Sequence, residues 1–327
     1  MMSEKLVPAL PCPPTNPAPG LESVTAYAPG SIGNVGPGFD ILGLAVSGAG
    51  DRVTARRAGD RGVRLIDKGH AALPGEPGRH AAAIAARAVL RRADALDVGL
   101  ELSVEKGLPL SGGQGGSAAS AAAGALAANL ALGEPLSRLE LVEAALEAEA
   151  LVAGRHADNV APSLLGGFVL VLSLDPLDLV ELPPPSFLSI VLVRPEQEVR
   201  TAVARSVVPH VLPRELAMRQ AAHVAALVLA ISRRDLELMG RALHDAVAEP
   251  ARAPGLPGFV AAKRAALAAG AVGCSISGSG PTAFAFAADS ASAEGIRAAM
   301  IAGYAECGVA ASGRVAEVDT RGARREP

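Results

Sequence analysis

A glycine-rich segment with a serine at each end lies between a predicted strand at 100–104 and an alanine-rich stretch. It reads Pro109-Leu110-Ser111-Gly112-Gly113-Gln114-Gly115-Gly116-Ser117. Glycines let backbone amides converge on an anion without obstruction by a Cβ atom, and a helix that begins near Gly116 adds free amides and the positive end of its dipole. No Lys-Ser or Lys-Thr pair closes the segment, so it is not a Walker loop. Alone, it indicates either a phosphate cradle or a flexible surface loop.

A second segment, Ala28–Leu44, is rich in glycine and proline between two predicted strands. Asn34 and Asp40 are its side chains suited to bidentate or ionic recognition. A carboxylate suits an ammonium group, and an amide can both donate and accept hydrogen bonds. The alternative is that Asp40 is an ordinary turn residue beside glycines.

A third segment, Glu149–Gly167, follows a helix predicted from Ser137 to Ala153. Glu147 and Glu149, near the end of that helix, are candidate Mg²⁺ ligands because a hard cation prefers carboxylate oxygen. They could equally be exposed helix charges. A polar cluster follows within an apolar neighbourhood and consists of Arg155, His156, Asp158 and Asn159.

The fourth segment is Gly270–Pro281, in which small residues follow one another. Such a run permits close approach of the backbone, either to a phosphate group or to the first glycine loop. A tight hairpin between two short strands is the simpler interpretation.

The elements that must position these segments alternate irregularly, without the repeated βαβ units of a dinucleotide-binding domain. Helices are predicted near 79–92, 116–130, 137–153, 198–207, 212–229, 236–247, 258–269 and 290–307. Ser137, with Glu140 three residues later, predicts a capped helix start. The proline-rich stretch 175–186 predicts a crossing between domains, and 1–22 and 320–327 are predicted to be flexible tails. We therefore expect an α+β protein of two domains.

Composition excludes several classes of function. The net charge is −3 with acids and bases interspersed, so no basic face is available for nucleic acid or an anionic membrane. The three cysteines are widely separated and lack metal-ligand spacing. The N-terminus has no uninterrupted apolar stretch of the kind a signal peptide needs. We expect a reduced, cytoplasmic protein that binds a small molecule.

Taken in this order, the four segments resemble those of the GHMP family of small-molecule kinases. The resemblance covers about residues 23–318 and is a more specific signal than a glycine loop alone. Within the family, the markers are similar to the branch that acts on L-homoserine. They are Asn34–Asp40 with Leu42–Leu44, His156 with Asp158–Pro162 and Gly166-Gly167, and Ile276–Thr282.

The resemblance implies a fold and a place for the nucleotide. Residues 23–180 would form an N-terminal ATP-binding domain similar to the second domain of ribosomal protein S5. Residues 181–319 would form a ferredoxin-like domain, with the active site between the two. The phosphates of ATP would lie on Pro109–Ser117, and Ser117 and Glu149 match the positions that hold Mg²⁺.

The resemblance also implies phosphorylation of the L-homoserine hydroxyl by a homodimeric enzyme. Asp40 is assigned to the substrate ammonium and Asn159 to its hydroxyl, with Asn159, Ser117 and Glu149 as the catalytic set. Arginines are assigned to the carboxylate, because a guanidinium fork matches a planar anion. The substrate-binding residues would be Asn34, Asp40, His156, Asn159, Thr201, Arg205, Arg252 and Gly278.

The sequence departs from the family pattern at three places. Gly116 stands where relatives have the first of two serines, and Gln114 stands where they have leucine. The interval from Glu149 to His156 is one residue short, which leaves Glu147 as a competitor for the metal. Arg79-His80 replaces an asparagine common near the adenine pocket.

Two alternative functions stay open on sequence grounds. Another kinase of the family, for mevalonate or an isoprenoid phosphate, would also use Arg205 and Arg252. Asp40 favours an amino acid, since mevalonate has no ammonium group. The altered glycine loop also fits a non-catalytic homologue that binds nucleotide.

Overall fold

The computed structural model describes residues 23–185, 188–199 and 201–327. The strands are β1 (Val24–Gly33), β2 (Leu42–Ala58), β3 (Gly62–Asp67), β4 (Gly99–Glu105), β5 (Phe168–Leu174), β6 (Leu177–Leu182), β7 (Ser189–Pro195), β8 (Gly273–Ile276), β9 (Ala283–Ala287), β10 (Ala311–Glu317) and β11 (Arg324–Glu326). The helices are α1 (Ala81–Arg92), α2 (Gly116–Leu132), α3 (Arg138–Val152), α4 (Val160–Leu165), α5 (Thr201–Ser206), α6 (Arg214–Arg233), α7 (Leu236–Ala242), α8 (Ala248–Arg252), α9 (Phe259–Ala268) and α10 (Ser290–Glu306).

The first domain is a seven-stranded sheet packed against α1, α2 and α4, and α3 packs on these helices. The sheet branches because β2 is 17 residues long and pairs with β5 at its start and with β4 at its end. Alanine and glycine let the helices pack closely: a Cβ atom at Gly124 of α2 would lie 2.4 Å from the carbonyl oxygen of Ala82 in α1. This close packing buries α2 and fixes its N-terminus at the domain surface.

Helix α3 begins with the capping box predicted from the sequence. The Glu140 amide donates to the Ser137 hydroxyl at 3.4 Å, and the Ser137 amide donates to the Glu140 carboxylate at 2.8 Å. The backbone amides of Ser137 and Glu140 therefore both find hydrogen-bond acceptors within the capping box. The register that follows turns Glu149 into the protein and leaves Glu147 half-exposed.

The second domain is a four-stranded antiparallel sheet in the order β10-β7-β9-β8. The chain runs from β7 through helices to β8 and β9, then through α10 to β10, which is the ferredoxin-like path. A shared apolar core joins this sheet to the first one, where the ring of Phe286 meets the ring of Phe168 edge-on at 6.3 Å. The predicted α+β architecture of two domains is confirmed.

Three sequence predictions differ from the structure. Residues 175–186 do not simply cross between domains, because β6 returns antiparallel to β5 and extends the first sheet to Leu182. The flexible tail predicted at 320–327 is wrong, because β11 pairs with β1 and Ala323 is fully buried. The helix predicted at 236–247 ends at Ala242.

The first residues of the chain are not described. The tail predicted at 1–22 lies outside the described residues. Within the described ranges, no helix combines the length and apolar character needed to cross a membrane.

Candidate active site

A cleft of about 840 Å³ lies between the two domains. The first domain contributes the glycine loop, the end of α3 and the segment before α4; the second contributes α5, α8 and the turn after β8. The site residues predicted from the sequence line it, with the exception of Gln114. They are Asn34, Asp40, Pro109, Leu110, Ser111, Gly112, Gly113, Gly115, Gly116, Ser117, Glu149, His156, Asn159, Thr201, Arg205, Arg252 and Gly278.

The glycine loop adopts a backbone that favours glycine. Ser111, Gly113 and Gly115 have φ angles of 50°, 72° and 67°. Gly115 caps α2, and among the described residues no side chain accepts hydrogen bonds from the first turn of that helix. The amides at the start of α2 are therefore available for an anion.

The turn that follows β8 holds the glycine loop from behind. The Ser277 hydroxyl donates to the carbonyl oxygen of Gly113 at 2.6 Å, and the Thr282 hydroxyl donates to that of Gly112 at 2.5 Å. A Cβ atom at Gly113 would lie 2.6 Å from the carbonyl oxygen of Gly280. Both interpretations of the fourth segment hold, because β8 and β9 form an antiparallel hairpin and its turn approaches the first loop.

Gln114 differs from its predicted place among the nucleotide contacts. Its side chain is buried between the domains, where the amide nitrogen lies 3.4 Å from the Thr282 hydroxyl and Arg314 lies 3.4 Å from the amide oxygen. The loop turns at Gly113 and Gly115, and this directs the intervening side chain toward the second domain. Gln114 therefore contributes to the domain contact.

Ser117 and Glu149 meet at the start of α2. The Ser117 hydroxyl donates to Glu149 Oε1 at 3.1 Å, while Oε2 is buried and has no hydrogen-bond partner among the described residues. Burial raises the pKa of Glu149 to about 7. Glu147, the sequence competitor for the metal, instead pairs with Arg91 and Arg92 on the outside of the domain.

A buried ion pair beneath the loop was missed by sequence reasoning. Lys106 pairs with Asp51 and also donates to the Gly116 carbonyl and the Ser120 hydroxyl, both at 2.9 Å. Asp51 accepts from the amides of Gly107 and Leu108 at 3.1 and 3.3 Å. The pair ties both ends of the glycine loop together. Lys106 just before the loop was a usable signal, whereas Asp51 within β2 gave none.

Charged groups of opposite sign gather at the other end of the cleft. Arg205 donates to both Asp40 oxygens at 2.9 and 2.6 Å, and this hydrogen-bonded pairing raises the pKa of Arg205. Arg252 donates to the carbonyl oxygens of Gly278 and Ala204 at 2.7 and 3.0 Å. The predicted carboxylate and arginines are thus brought together.

The segment before α4 supplies amides and a buried carboxylate. The Asn34 amide donates to Asp158 at 2.9 Å, and its side chain donates to the Gly278 carbonyl at 3.1 Å. The Ser31 hydroxyl donates to Asn159 Oδ1 at 3.0 Å. Burial raises the pKa of Asp158. Asp158 and Ser31 were not among the predicted site residues, although Asp158 belonged to the polar cluster.

The remaining members of that cluster separate. His156 is buried at the cleft, and its Nε2 lies 3.3 Å from the carbonyl oxygen of Ala153. Arg155 turns outward and pairs with Asp175 in the β5–β6 turn at 2.5 and 2.6 Å. Thr201, at the start of α5, lines the cleft near Arg205.

Known proteins similar to this chain were identified by family and by structure. The model for the GHMP kinases N terminal domain matches residues 80–167, and that for the GHMP kinases C terminal domain matches residues 227–306. A homoserine kinase of Chloroherpeton thalassium is 45% identical over 296 residues, covering 86% of this chain and 92% of the relative. One of Chlorobium phaeobacteroides is 44% identical over 292 residues, covering 86% and 91%.

The structural comparison agrees with the sequence comparison. The crystal structure of homoserine kinase from Cytophaga hutchinsonii superposes with a TM-score of 0.88 at 39% identity, covering 94% of this chain and 98% of that one. The two family models lie in the first and the second domain and include the glycine loop and the third and fourth segments. The chain belongs to the GHMP kinase family and, within it, to the homoserine kinase group.

Proposed function

We propose that the chain transfers the γ-phosphoryl group of ATP to the hydroxyl of L-homoserine, forming O-phospho-L-homoserine, a step of threonine biosynthesis. One observation carries the proposal. A single cleft joins a phosphate cradle at the start of α2 to a carboxylate and two arginines at its other end. Those charges complement the ammonium and carboxylate of an amino acid.

The phosphate end of the cleft would stabilise negative charge through backbone dipoles that are fixed in place. Phosphoryl transfer depends on positioning and on neutralising charge. Within the described ranges no side chain caps the amides of Gly115–Ser117, and the Ser277 and Thr282 hydroxyls bind the carbonyl oxygens of the loop. The loop is therefore preorganised to accept negative charge that develops on the transferred group.

Ser117 and Glu149 fit a divalent cation. The orphaned, buried Oε2 of Glu149 and the adjacent Ser117 hydroxyl are hard oxygen donors at the start of the phosphate-binding helix. When bound, Mg²⁺ would neutralise charge on the phosphate oxygens. Ser117 orients the Glu149 carboxylate through their hydrogen bond, so both side chains contribute to the geometry of the site.

The amino-acid end fixes the direction of the acceptor hydroxyl. Asp40 holds the ammonium, and Arg205 and Arg252 hold the carboxylate, so the side-chain hydroxyl points toward the phosphate loop. Asn159 contacts that hydroxyl, with Ser31 fixing its amide. An amide cannot act as a strong base. Asn159 therefore orients the hydroxyl, and Thr201, His156 and Asn34 complete the wall around it.

We also propose that the enzyme works as a homodimer in the cytoplasm. Helix α6 supports the dimer, because one of its faces is apolar and exposed. Met218 and Leu229 are 67% and 41% exposed, and alanines lie between them at helical spacing. A second copy of the chain would cover this face.

A coupled assay of ADP release, run separately with L-homoserine, mevalonate and galactose, tests the proposed function. We expect ADP release with L-homoserine alone. Turnover of mevalonate would instead identify another kinase of the family. Silence with all three substrates, together with measurable ATP binding, would identify a non-catalytic homologue.

A further inference from the structure

Gln220 on α6 lies outside the cleft, yet its carboxamide joins three separate segments of the chain. Its nitrogen donates to the Pro37 carbonyl at 2.8 Å and to Asp245 Oδ1 at 3.0 Å. Its oxygen accepts from the Ala246 amide at 2.9 Å. Both N–H groups and the oxygen are therefore used.

On one side, Gln220 contacts the acid that builds the start of α8. Asp245 is buried and accepts from the amides of Val247 and Ala248, both at 2.9 Å, and of Glu249 at 2.8 Å. These bonds organise the first turn of the short helix that ends at Arg252. Asp245 therefore helps to place the backbone of Arg252, whose guanidinium is held in addition by the carbonyl oxygens of Gly278 and Ala204.

The far side of α8 is anchored independently. Glu249 pairs with Lys263 of α9 and accepts from the Ser275 hydroxyl at 2.6 Å. Glu249 and Asp245 therefore hold the first turn of α8 from two sides. Gln220 in turn holds Asp245 and the Ala246 amide, just before this turn.

On its other side, Gln220 holds the middle of the loop that carries Asn34 and Asp40. Asn34, Val35 and Asp40 have φ angles of 68°, 43° and 63°. Left-handed backbone is unfavourable for residues other than glycine, most of all for β-branched valine. The loop keeps this shape because contacts from outside hold it, and the bond to the Pro37 carbonyl is one of them.

We propose that Gln220 is a positioning residue that fixes the spacing between Asp40 and Arg252, and so sets affinity and selectivity for the amino-acid substrate without touching it. The inference rests on the proposed function, in which Asp40 holds the ammonium and Arg252 the carboxylate. Two charged groups recognise a zwitterion only when their separation matches it. The carboxamide of Gln220 links the loop that carries Asp40 to the helix that ends at Arg252.

Two possible roles of Gln220 lead to different kinetics. If Gln220 only stabilised the fold, its loss would lower stability and reduce kcat, or raise the KM of both substrates alike. A positioning residue for the amino-acid grip raises the KM of L-homoserine and leaves the KM of ATP unchanged, because the glycine loop is held by other contacts.

The test compares Gln220→Met with the intact full-length enzyme. Methionine keeps the length of the side chain and removes all three hydrogen bonds. We expect the KM of L-homoserine to rise roughly 10- to 30-fold, which corresponds to the loss of one to two hydrogen bonds to the substrate. The KM of ATP and kcat should change less than about threefold on the same scale.

Ser232→Ala on the same helix is the matched control. The exposed Ser232 hydroxyl donates to the Val228 carbonyl at 2.9 Å within α6, so one bond is lost without any link to the loop of Asp40 or to α8. Its kinetics should equal those of the parent enzyme. Gln220→Glu is the second variant: it keeps the acceptor for Ala246 but loses both donations and places a carboxylate beside Asp245. It should show the same selective rise.

The outcomes separate the inference from the proposed function. If the parent enzyme fails to phosphorylate L-homoserine, the proposed function fails. If the parent is active and either folded Gln220 variant keeps the parent KM for L-homoserine, or raises both KM values equally, the positioning role is overturned. Calorimetric titration of L-homoserine into each variant with a non-hydrolysable ATP analogue gives the same distinction for a variant with low turnover.

Discussion

The carboxyl group of Glu149 sits where ionisation is unfavourable. Burial raises its pKa from 4.5 to about 7, although the hydrogen bond from Ser117 acts in the opposite direction. A divalent cation near the orphaned Oε2 favours the ionised form, so cation binding and proton release are linked. This linkage makes the metal site measurable through pH.

We predict that Mg²⁺ affinity, titrated with a non-hydrolysable ATP analogue, is constant above pH 8 and falls up to about tenfold per pH unit below pH 7. A proton competes with the cation for Glu149 there. The Glu149→Gln variant should bind Mg²⁺ weakly and lose this slope. An unchanged slope in the variant would remove Glu149 from the metal site.

The same pKa shift affects stability, and its sign follows from the protonation states. The native carboxyl keeps its proton to a higher pH than the unfolded one, so its favourable contribution is full below about pH 4.5 and is lost as pH rises through 7. Glu149→Gln should therefore raise Tm at pH 8 and leave it nearly unchanged at pH 4.5. The same Tm measurement shows that the Glu149→Gln variant is folded.

Asp40 offers the second test at the residue scale. Asp40→Asn removes the charge assigned to the substrate ammonium, and loss of a charge-assisted hydrogen bond should raise the KM of L-homoserine roughly 10- to 100-fold. The KM of ATP should stay the same. Glu147→Gln, whose parent residue pairs with Arg91 and Arg92 on the outside, is the control. Loss of turnover without weaker homoserine binding would contradict the assignment.

At the scale of elements, the contact between α1 and α2 decides where the phosphate-binding amides lie. Thirteen residues of α2 are buried, and most of them are alanine. Small side chains bring the helix axes close together, and Gly124 marks the tightest point against Ala82. The helix that presents its N-terminus to the cleft is therefore held along its length.

Gly124→Ala should destabilise the protein even though alanine is the better helix former. A Cβ atom there would lie 2.4 Å from the Ala82 carbonyl, and overpacking of this kind costs about 1–3 kcal/mol. Gly295→Ala in α10 meets no atom within 4 Å, so propensity alone should stabilise it by up to about 1 kcal/mol. Chemical unfolding measures both. Equal effects of the two changes would contradict the packing argument.

At the scale of the whole molecule, the chain returns to its first sheet after completing the second. Strand β11 pairs with β1, and Arg52 donates to Glu326 at 2.6 Å. Arg138 of α3 donates to the Ala323 carbonyl at 2.7 Å. The C-terminus thus links the two domains through covalent connection and sheet pairing at once.

Truncation after Thr320 should lower the Tm of the whole protein by several degrees, because it exposes the β1 edge and the buried site of Ala323. Removal of Pro327 alone, which lies beyond β11, should have no effect. Differential scanning calorimetry distinguishes the two. An unchanged Tm after the longer truncation would show that residues 321–327 do not stabilise the protein.

The proposed dimer is tested by light scattering on the purified protein. We expect twice the chain mass of 32.8 kDa. Met218→Glu on the exposed face of α6 should shift the mass to that of one chain. Val260→Glu, equally exposed on α9, should not. A monomer in the parent protein would overturn the proposal.

The sequence by itself determined the features that depend on neighbouring residues. The capping box at Ser137, the glycine loop before α2 and the two-domain α+β architecture follow from local spacing and from the order of the segments. Such signals are written within a few residues, because a cap or a helix N-terminus is built by the residues beside it. The resemblance carried by the four segments then predicted which side chains line the cleft.

Only the tertiary structure decided which distant groups became partners. It paired Asp51 with Lys106 and Asp40 with Arg205, turned Gln114 toward the second domain, and added β11 to the first sheet. The residues around Asp51 in β2 do not indicate that its partner is Lys106, some fifty positions later. Partner choice depends on how strands and domains pack, and that information is spread over the whole chain.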